Sequence, residues 1–321
     1  MAPDPTRSRR WIVAATLTVG AVAGLAALYA YSDPETLDLD DAVRRATPGQ
    51  FVRLTDGYTH YEIAGPPSGH VVVLAAGFSV PYYIWDPTFK ALTEAGFRVL
   101  RYDYYGRGFS DRPDVPYTQA FYVRQLGELL DSLGVSGSVD LAGLSLGGSI
   151  VTSFADLSPN RVRSLIYVDP SFRSPSPMPA TNPHIWSFLT AIFTEQRWAD
   201  DQLADFLHPE RFPDWPARYR VQMQYKGFRR ARLSELVSNA SVDQREETER
   251  VGKHARPVLV IWGKQDTQVP IESSAQLLEA MPRARMVTIE DAGHLPQWEQ
   301  PAIVNAAIVE FLHEVNRLPG S

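Results

Sequence analysis

The sequence predicts an α/β fold in which a mostly parallel sheet is flanked by helices. Short apolar runs alternate with helical patterns from residue 51 to residue 315, as in chains that build parallel sheets. Several of these runs, such as residues 71–74, are apolar without a break, which is typical of strands buried on both faces. The alternation is interrupted once, at residues 171–254, which are rich in aromatic residues and show no convincing strand. We therefore expect a helical insertion between two sheet strands.

The individual elements follow from local pattern. The first two strands read as a hairpin around Asp56-Gly57, a dipeptide that favours tight turns. Amphipathic spacing and terminal glycines predict the helices. The predicted strands are residues 51–55, 58–64, 71–74, 98–102, 139–142, 162–168, 257–262 and 285–289, and the predicted helices are residues 85–95, 121–133, 146–157, 271–281 and 302–315.

The N-terminal segment carries an uncharged apolar run at residues 11–31. A run of about 20 apolar residues is long enough to span a bilayer as a helix. Three arginines precede the run and five acidic residues follow it, so the positive-inside rule places the N-terminus in the cytoplasm and the body outside. We expect residues 1–32 to be a signal-anchor of the cell membrane. The alternative is a cleaved export signal, because residues 8–13 resemble a twin-arginine signal.

The rest of the chain divides into three predicted parts. Residues 33–50 form a polar connector, residues 51–170 and 255–318 form the α/β core, and residues 171–254 form the insertion. The net charge of −6 argues against a nucleic-acid partner, which a strongly basic surface would indicate. The absence of cysteine excludes disulfides, zinc–thiolate sites and cysteine nucleophiles.

A candidate nucleophile lies in the segment Gly143-Leu144-Ser145-Leu146-Gly147, which fits the pattern G-x-S-x-G. In this pattern the serine occupies a sharp turn, and small residues two positions before and after it avoid collisions with the adjoining strand and helix. A predicted strand precedes Ser145 and a predicted helix follows it, which is the context that the pattern requires. We predict that Ser145 is a nucleophile.

The partners of such a serine should come later in the chain. His294 follows the last predicted strand and is the expected general base, and Asp266 follows a buried strand and is the expected acid that orients it. Asp169 follows the preceding strand and is the competing acid. The order Ser, Asp, His along the chain favours Asp266. The oxyanion of a tetrahedral intermediate should accept hydrogen bonds from the backbone N–H groups of Leu146 and Phe78.

Several motifs together resemble the α/β-hydrolase fold superfamily, in its capped esterase/lipase-like branch. The resemblance implies an eight-stranded sheet, a helical cap formed by the insertion over the active site, no cofactor and no metal. Relatives usually carry His-Gly in the oxyanion loop where this chain has Ala76-Gly77. Ser145 stands where epoxide hydrolases and dehalogenases carry aspartate, which argues against both. The matching segments are residues 76–78, 103–111, 143–148, 262–266 and 292–301.

We therefore expect a serine hydrolase that cleaves a small-molecule carboxylic ester through an acyl-enzyme intermediate. The aromatic insertion favours an apolar acyl or alkyl group, and the N-terminal helix favours a membrane-proximal substrate. Alternatives are hydrolysis of a thioester, amide or C–C bond by the same residues, a haloperoxidase-like side activity, or a ligand-binding receptor without turnover. A run of cations at residues 218–232 contains no acid; we interpret it as a solvated helix face, with a patch for anionic lipid headgroups as the alternative.

Overall fold

An eight-stranded sheet forms the centre of the fold. The structure is a computed structural model, and it describes residues 5–172, 183–239 and 243–318. The strand order across the sheet is β1-β2-β4-β3-β5-β6-β7-β8. The strands are β1 (Gln50–Leu54), β2 (Gly57–Ala64), β3 (Val71–Ala75), β4 (Arg98–Tyr102), β5 (Val139–Leu144), β6 (Val162–Val168), β7 (Val258–Gly263) and β8 (Arg285–Ile289).

The sheet is mixed, because β2 runs antiparallel to both of its neighbours. The hairpin at Asp56-Gly57 reverses the chain between β1 and β2, and Leu54 pairs with Gly57 at its end. The strand pairings from β4 through β3 to β8 are all parallel. The residues of β3, β5 and β7 are buried along their whole length, as expected for strands covered on both faces. The sheet is therefore mostly parallel, as predicted. Its two antiparallel pairings are those of β2 with β1 and of β2 with β4.

Helices cover the sheet, and the longer ones coincide with the amphipathic patterns. Short 3₁₀ turns add to them at Tyr82–Trp85, Pro159–Arg161, Glu195–Arg197, Gln202–Asp205, Pro209–Arg211 and Ile271–Ser273. The α-helices are α1 (Pro5–Ser32), α2 (Asp41–Ala46), α3 (Asp86–Glu94), α4 (Gln119–Ser132), α5 (Leu146–Leu157), α6 (Pro183–Phe193), α7 (Trp198–Asp201), α8 (Trp215–Met223), α9 (Phe228–Asn239), α10 (Arg245–Gly252), α11 (Ser274–Ala280), α12 (Pro296–Glu299) and α13 (Pro301–Asn316).

Two short helices were not expected from the sequence. The helix α2 lies within the predicted polar connector, and the Asp40 side chain caps it by accepting a hydrogen bond of 2.9 Å from the N–H of Val43. The helix α12 begins at Pro296, immediately after the loop that carries His294. Both helices are shorter than two turns, so neither presents the repeated apolar spacing by which a helix is predicted.

The insertion between β6 and β7 contains α6 to α10, and its aromatic side chains contact one another. Phe206 stacks on Phe212 with ring centres 4.1 Å apart, and the edge of Trp215 meets Phe206 at 5.0 Å. Tyr219 and Phe228 are fully buried in the same cluster. A proline-rich stretch of the insertion, residues 174–182, lies outside the described residues.

The run of cations in the insertion is a solvated face only in part, because Arg220 and Lys226 are exposed while Arg229 is buried. Arg229 is only 4% exposed, and its guanidinium contacts Glu195 at 2.5 Å and Asp33 at 3.1 Å. Other members of the run form ion pairs with acids that are distant in sequence or on a neighbouring helix. The sequence around each cation therefore could not reveal its partner. These ion pairs are Arg218 with Asp86, Arg220 with Asp200, Lys226 with Asp38 and Arg230 with Asp114.

The N-terminal helix is apolar and lies outside the core. Residues Arg9–Ser32 form a helix of 24 residues that is long and apolar enough to cross a membrane, and signal sequences meet the same criteria. From Arg9 to Leu28 the helix residues are exposed. At its C-terminal end Tyr29 stacks on Phe188 of α6, with ring centres 5.3 Å apart.

The residues that follow this helix fasten it to the insertion, and we call residues 33–38 the strap. The Glu35 carboxylate accepts hydrogen bonds from the backbone N–H groups of Gly227 (2.8 Å) and Arg229 (2.5 Å). Leu37 forms a parallel β-bridge with Tyr225. The strap therefore joins the N-terminal helix to the segment between α8 and α9 by backbone as well as side-chain contacts.

Candidate active site

Ser145 occupies a strained turn between β5 and α5. Its φ angle is 51°, a left-handed conformation that non-glycine residues seldom adopt and that often marks functional sites. A Cβ atom on Gly143 would lie 2.4 Å from the carbonyl oxygen of Gly147. A Cβ atom on Gly147 would lie 2.4 Å from the carbonyl oxygen of Ala75. Backbone crowding thus explains why glycine stands on each side of the serine.

His294 and Asp266 form a buried hydrogen-bonded pair. The Nδ1 atom of His294 lies 2.7 Å from Oδ2 of Asp266. The other carboxylate oxygen of Asp266 accepts backbone hydrogen bonds from Gln268 (2.7 Å) and Val269 (2.9 Å), which fix its orientation. Ser145 and His294 both line one cavity at the carboxyl ends of the parallel strands. The structure therefore brings together the three residues that we predicted as nucleophile, base and acid.

Asp169, the competing acid, lies behind this pair. Its Oδ1 atom accepts a hydrogen bond of 2.8 Å from the backbone N–H of Gly263. One ligand-type atom each from Asp169, Asp266 and His294 lies within 4.8 Å of the others. Complete burial, followed by the charge of Asp266, raises the pKa of Asp169 well above its usual range. The raised pKa favours the protonated form of Asp169, and the carboxyl group that contacts the imidazole of His294 is that of Asp266.

The same three side chains could also supply oxygen and nitrogen ligands to a metal ion. The His294 nitrogen that faces the acids is already in the hydrogen bond to Asp266. The second oxygen of Asp266 is occupied by two backbone N–H groups. These contacts fit a histidine–carboxylate pair that moves protons better than a set of metal ligands.

The predicted oxyanion donors lie beside Ser145. A Cβ atom on Gly77 would lie 3.4 Å from Cβ of Ser145, so the loop after β3 directly adjoins the nucleophile. The backbone N–H groups of Phe78 and Leu146 donate to none of the residues that the structure describes. Both donors are therefore free for a substrate oxygen.

Gln222 of α8 supports the oxyanion loop, although nothing in the sequence pattern pointed to it. Its side-chain amide donates to the carbonyl of Ser79 (2.9 Å) and its amide oxygen accepts from the N–H of Gly108 (2.9 Å). Ser79 itself has a φ of 63°, so the loop is held in a conformation that it would not adopt freely. The oxyanion loop is therefore supported by the insertion.

The cavity has a volume of about 720 Å³ and two unlike walls. The wall from the core combines apolar side chains with polar ones such as Gln268, Glu272 and Gln276. Of the insertion residues that the structure describes, Phe172 is the apolar one on the opposite wall, and the others are polar or charged. The apolar side chains of the core wall include Phe78, Val80, Ile84, Leu144, Val269 and Leu295, and the insertion wall consists of Ser171, Phe172, Asp201, Gln202, Asp205 and Arg232.

His60 and Asp103 form a second buried pair that lies away from the cavity. Nδ1 of His60 lies 2.8 Å from Oδ2 of Asp103. The other oxygen of Asp103 accepts from the backbone N–H of Tyr82 (2.7 Å), so this carboxylate ties β4 to the loop before α3. Neither residue lines the cavity. Their contacts are therefore structural.

The electrostatic surroundings of His294 favour its protonated form. Burial lowers its pKa, but the hydrogen bond to Asp266 and the charges of Asp266 and Asp205 outweigh burial and raise the pKa above the usual value. Burial in turn raises the pKa of Asp205 to about 6. Asp205 also accepts the backbone N–H of His294 through its carbonyl at 2.9 Å. Asp205 was missed by the sequence reasoning, since its helical turn carries no motif.

These shifts predict a pH profile. A general base must be neutral, so kcat/KM should fall as pH drops through the raised pKa of His294. Replacing Asp205 with asparagine removes a negative charge that stabilises the imidazolium, so the acidic limb should move to lower pH. Measuring kcat/KM from pH 5 to pH 9 for both proteins tests this. An acidic limb that stays in place or moves to higher pH in Asp205→Asn would contradict the assignment.

Known proteins are similar to this chain over most of its length. Residues 72–307 match the model of the alpha/beta hydrolase family. A 2-hydroxy-6-oxononadienedioate/2-hydroxy-6-oxononatrienedioate hydrolase of Dechloromonas aromatica is 28% identical over 287 residues, covering 83% of this chain and 96% of the relative.

Two solved structures show the same similarity. A thermophilic esterase from Thermogutta terrifontis matches with a TM-score of 0.72 and 27% identity, covering 83% of this chain and 99% of its own. The enol-lactonase from Burkholderia xenovorans LB400 matches with a TM-score of 0.71 and 25% identity, covering 82% of this chain and 100% of its own.

Proposed function

This chain belongs to the alpha/beta hydrolase family, and we propose that it is a serine hydrolase that cleaves a carboxylic ester through an acyl-enzyme intermediate. The observation that carries the proposal is the arrangement at one cavity. Ser145 projects from a strained turn, and His294, held by Asp266 at 2.7 Å, lines the same cavity. Nucleophile, base and orienting acid are the parts that acyl transfer to serine requires.

Each residue then has a defined role. His294 takes the proton from Ser145 as the serine oxygen attacks the ester carbonyl, and Asp266 stabilises the imidazolium that results. The carbonyl oxygen becomes an oxyanion and accepts hydrogen bonds from the N–H groups of Phe78 and Leu146. His294 returns the proton to the departing alcohol. Water, deprotonated by His294, then hydrolyses the acyl-serine and releases the acid.

The cavity supports an ester with an apolar acyl or alkyl part, which would contact the core wall. Residues 171–254 would act as the cap, because they supply the opposite wall. The named activity of the relative from Dechloromonas aromatica favours a second candidate, hydrolysis of a C–C bond in an oxo acid by the same residues. A receptor without turnover is the third candidate. The intact set of Ser145, Asp266 and His294 argues against it.

A fluorophosphonate probe and a substrate panel separate these candidates. We expect the probe to label the protein at Ser145, and p-nitrophenyl esters of rising acyl length to be hydrolysed with an optimum set by the core wall. A 2-hydroxy-6-oxo dienoic acid, followed by loss of its absorbance, tests C–C cleavage. Labelling with turnover of the oxo acid alone would favour C–C cleavage, and absence of labelling would favour the receptor.

We further propose that the N-terminal helix anchors the protein in the cell membrane with the catalytic body outside the cytoplasm. The charge difference across residues 11–31 supports this orientation. The hydrogen bonds and the β-bridge between the strap and the insertion support a helix that stays attached to the body. Export followed by cleavage is the alternative.

Fractionation tests the location. Full-length protein should remain in membranes after a carbonate wash, and protease added to intact spheroplasts should degrade it. A soluble protein that begins near residues 27–32 would establish cleavage. Protection from external protease would show that the orientation is reversed.

A further inference from the structure

Arg232 is a charged residue of the cavity that has no partner in the part of the chain the structure describes. It belongs to α9 and lines the cavity with Ser145 and His294. It takes part in no ion pair within 4 Å, and its Nε atom is buried without a hydrogen bond. The other cations of the same run are paired with acids, so Arg232 is the exception among them.

Two aromatic rings hold the Arg232 guanidinium in place. Its central carbon lies 3.9 Å from the ring centre of Trp198 and 5.1 Å from that of Phe78. Cation–π contacts stabilise the charge and position the group, but they use none of its N–H donors. Phe78 also supplies a predicted oxyanion donor, so the guanidinium lies next to the region where the reacting carbonyl would bind.

The unpaired N–H donors of the Arg232 guanidinium favour a ligand that accepts hydrogen bonds. A buried polar group without a hydrogen bond is costly, and in a native structure it calls for an explanation such as a functional role or a bound ion. A guanidinium presents five N–H donors in a planar fork that matches the two oxygens of a carboxylate. An uncharged ester alone would leave these donors unsatisfied.

The acidic residues that line the cavity do not cancel the preference of Arg232 for a carboxylate. Asp201 and Glu272 are exposed, so water screens their charges. Asp205 interacts electrostatically with His294. The charge of His294 lowers the pKa of Asp205, and the charge of Asp205 raises the pKa of His294. Arg232 is the sheltered charge, and charges in sheltered sites act more strongly on a ligand than charges in water.

We infer that Arg232 forms a subsite for a carboxylate of the substrate, so that the ester cleaved at Ser145 carries a second, ionised carboxyl group. This inference rests on the proposed function and narrows its substrate class. The apolar core wall would contact the hydrocarbon part, and the Arg232 fork would bind the carboxylate in two parallel hydrogen bonds. The carboxylate can belong to the acyl part or to the alcohol, because both would extend from the same reacting carbonyl.

Matched ester pairs test the subsite. The p-nitrophenyl monoester of adipic acid carries a carboxylate, and p-nitrophenyl hexanoate has the same acyl length without it; 4-carboxyphenyl butanoate and phenyl butanoate place the charge on the alcohol. We expect wild type to favour one charged ester over its neutral match by at least about tenfold in kcat/KM. In Arg232→Gln the ratio of charged to neutral kcat/KM should fall about 100-fold, as expected when one partner of a sheltered charge pair is removed.

Two further variants separate charge recognition from folding. Arg232→Lys keeps the charge but not the fork, so its ratio should lie between those of wild type and Arg232→Gln. Arg220→Gln removes an exposed, paired cation of the same insertion and should leave the ratio unchanged. Calorimetry on Ser145→Ala provides a readout without turnover, because adipate should bind more tightly than adipamide.

The outcomes also distinguish this inference from the proposed function. The subsite would be overturned if Arg232→Gln lost the same factor of kcat/KM on charged and neutral esters. It would also be overturned if the wild type hydrolysed both members of each ester pair equally well. Either result would leave the proposed hydrolase activity intact. Preference for a trimethylammonium ester would show that the acids determine recognition. If Ser145 is not labelled by a fluorophosphonate and no ester is hydrolysed, the proposed function fails, and the binding of adipate to Ser145→Ala still decides whether Arg232 recognises a carboxylate.

Discussion

Ser145→Ala should lower kcat by about 10⁶, the loss seen when the nucleophile of a comparable serine enzyme is removed. The reason is that no other group can form the acyl-enzyme: His294 would still hold its hydrogen bond to Asp266 but would have no hydroxyl to deprotonate. The measurement is steady-state hydrolysis of the best p-nitrophenyl ester, with enzyme at high enough concentration to detect the remaining activity.

The matched control is Ser171→Ala, since Ser171 also lines the cavity. We expect its kcat to stay within about tenfold of wild type. The Ser171 hydroxyl faces the cavity but does not react with the substrate, so its removal costs at most one hydrogen bond of ordinary strength. Both variants should unfold near the wild-type temperature. If Ser145→Ala kept activity within tenfold of wild type while remaining folded, Ser145 would not be the nucleophile.

Asp266→Asn should lower kcat by roughly 10⁴. The asparagine amide can replace the carboxylate in space, but it stabilises the wrong tautomer of His294 and no longer balances the imidazolium. Asp169→Asn should be mild, because the raised pKa of Asp169 favours its protonated form and asparagine closely resembles a protonated carboxyl group. The substituted amide could still accept the N–H of Gly263 and donate to Asp266, so we expect kcat within about tenfold of wild type.

The pair of variants is its own control, because the two substitutions are chemically identical and the two sites touch the same cluster. The kcat values for both should be measured at the pH optimum of each protein, so that a shifted pKa is not mistaken for lost catalysis. A severe effect at Asp169 with a mild one at Asp266 would assign the acid to the end of β6 instead of β7.

The parts of the fold and site that local pattern controls could be predicted from the sequence. The turn at Ser145 is one example, since the clash that requires Gly143 arises with the carbonyl of Gly147 in the same turn. The end of a buried strand is another, because it places Asp266 at the edge of the sheet where the cavity lies. The choice between Asp266 and Asp169 was weaker, as both follow buried strands. Both acids are buried, and the contact of Asp266 with Nδ1 of His294, which only the assembled fold reveals, separates them.

The walls supplied by the insertion could not be predicted. On α9, Arg229 and Arg232 are three positions apart and lie near one face of the helix, yet Arg229 pairs with Glu195 and Arg232 lines the cavity. Which acids meet a cation depends on contacts between segments that are far apart in the chain. The aromatic composition of the insertion suggested an apolar pocket. Composition, however, does not tell which side chains contact one another and which face the cavity.

The strap would limit the orientations of the body if the N-terminal helix holds it in a membrane. Its residues 33–38 span at most about 20 Å even if fully extended, and Glu35 and Leu37 are already bonded to the segment that leads into α9. A body held by so short a segment cannot tumble freely. With the anchor retained, its diffusion would become two-dimensional, and the face next to α9 would stay close to the lipid headgroups. Substrates concentrated at that surface would then meet the cavity far more often than substrates dissolved in bulk water.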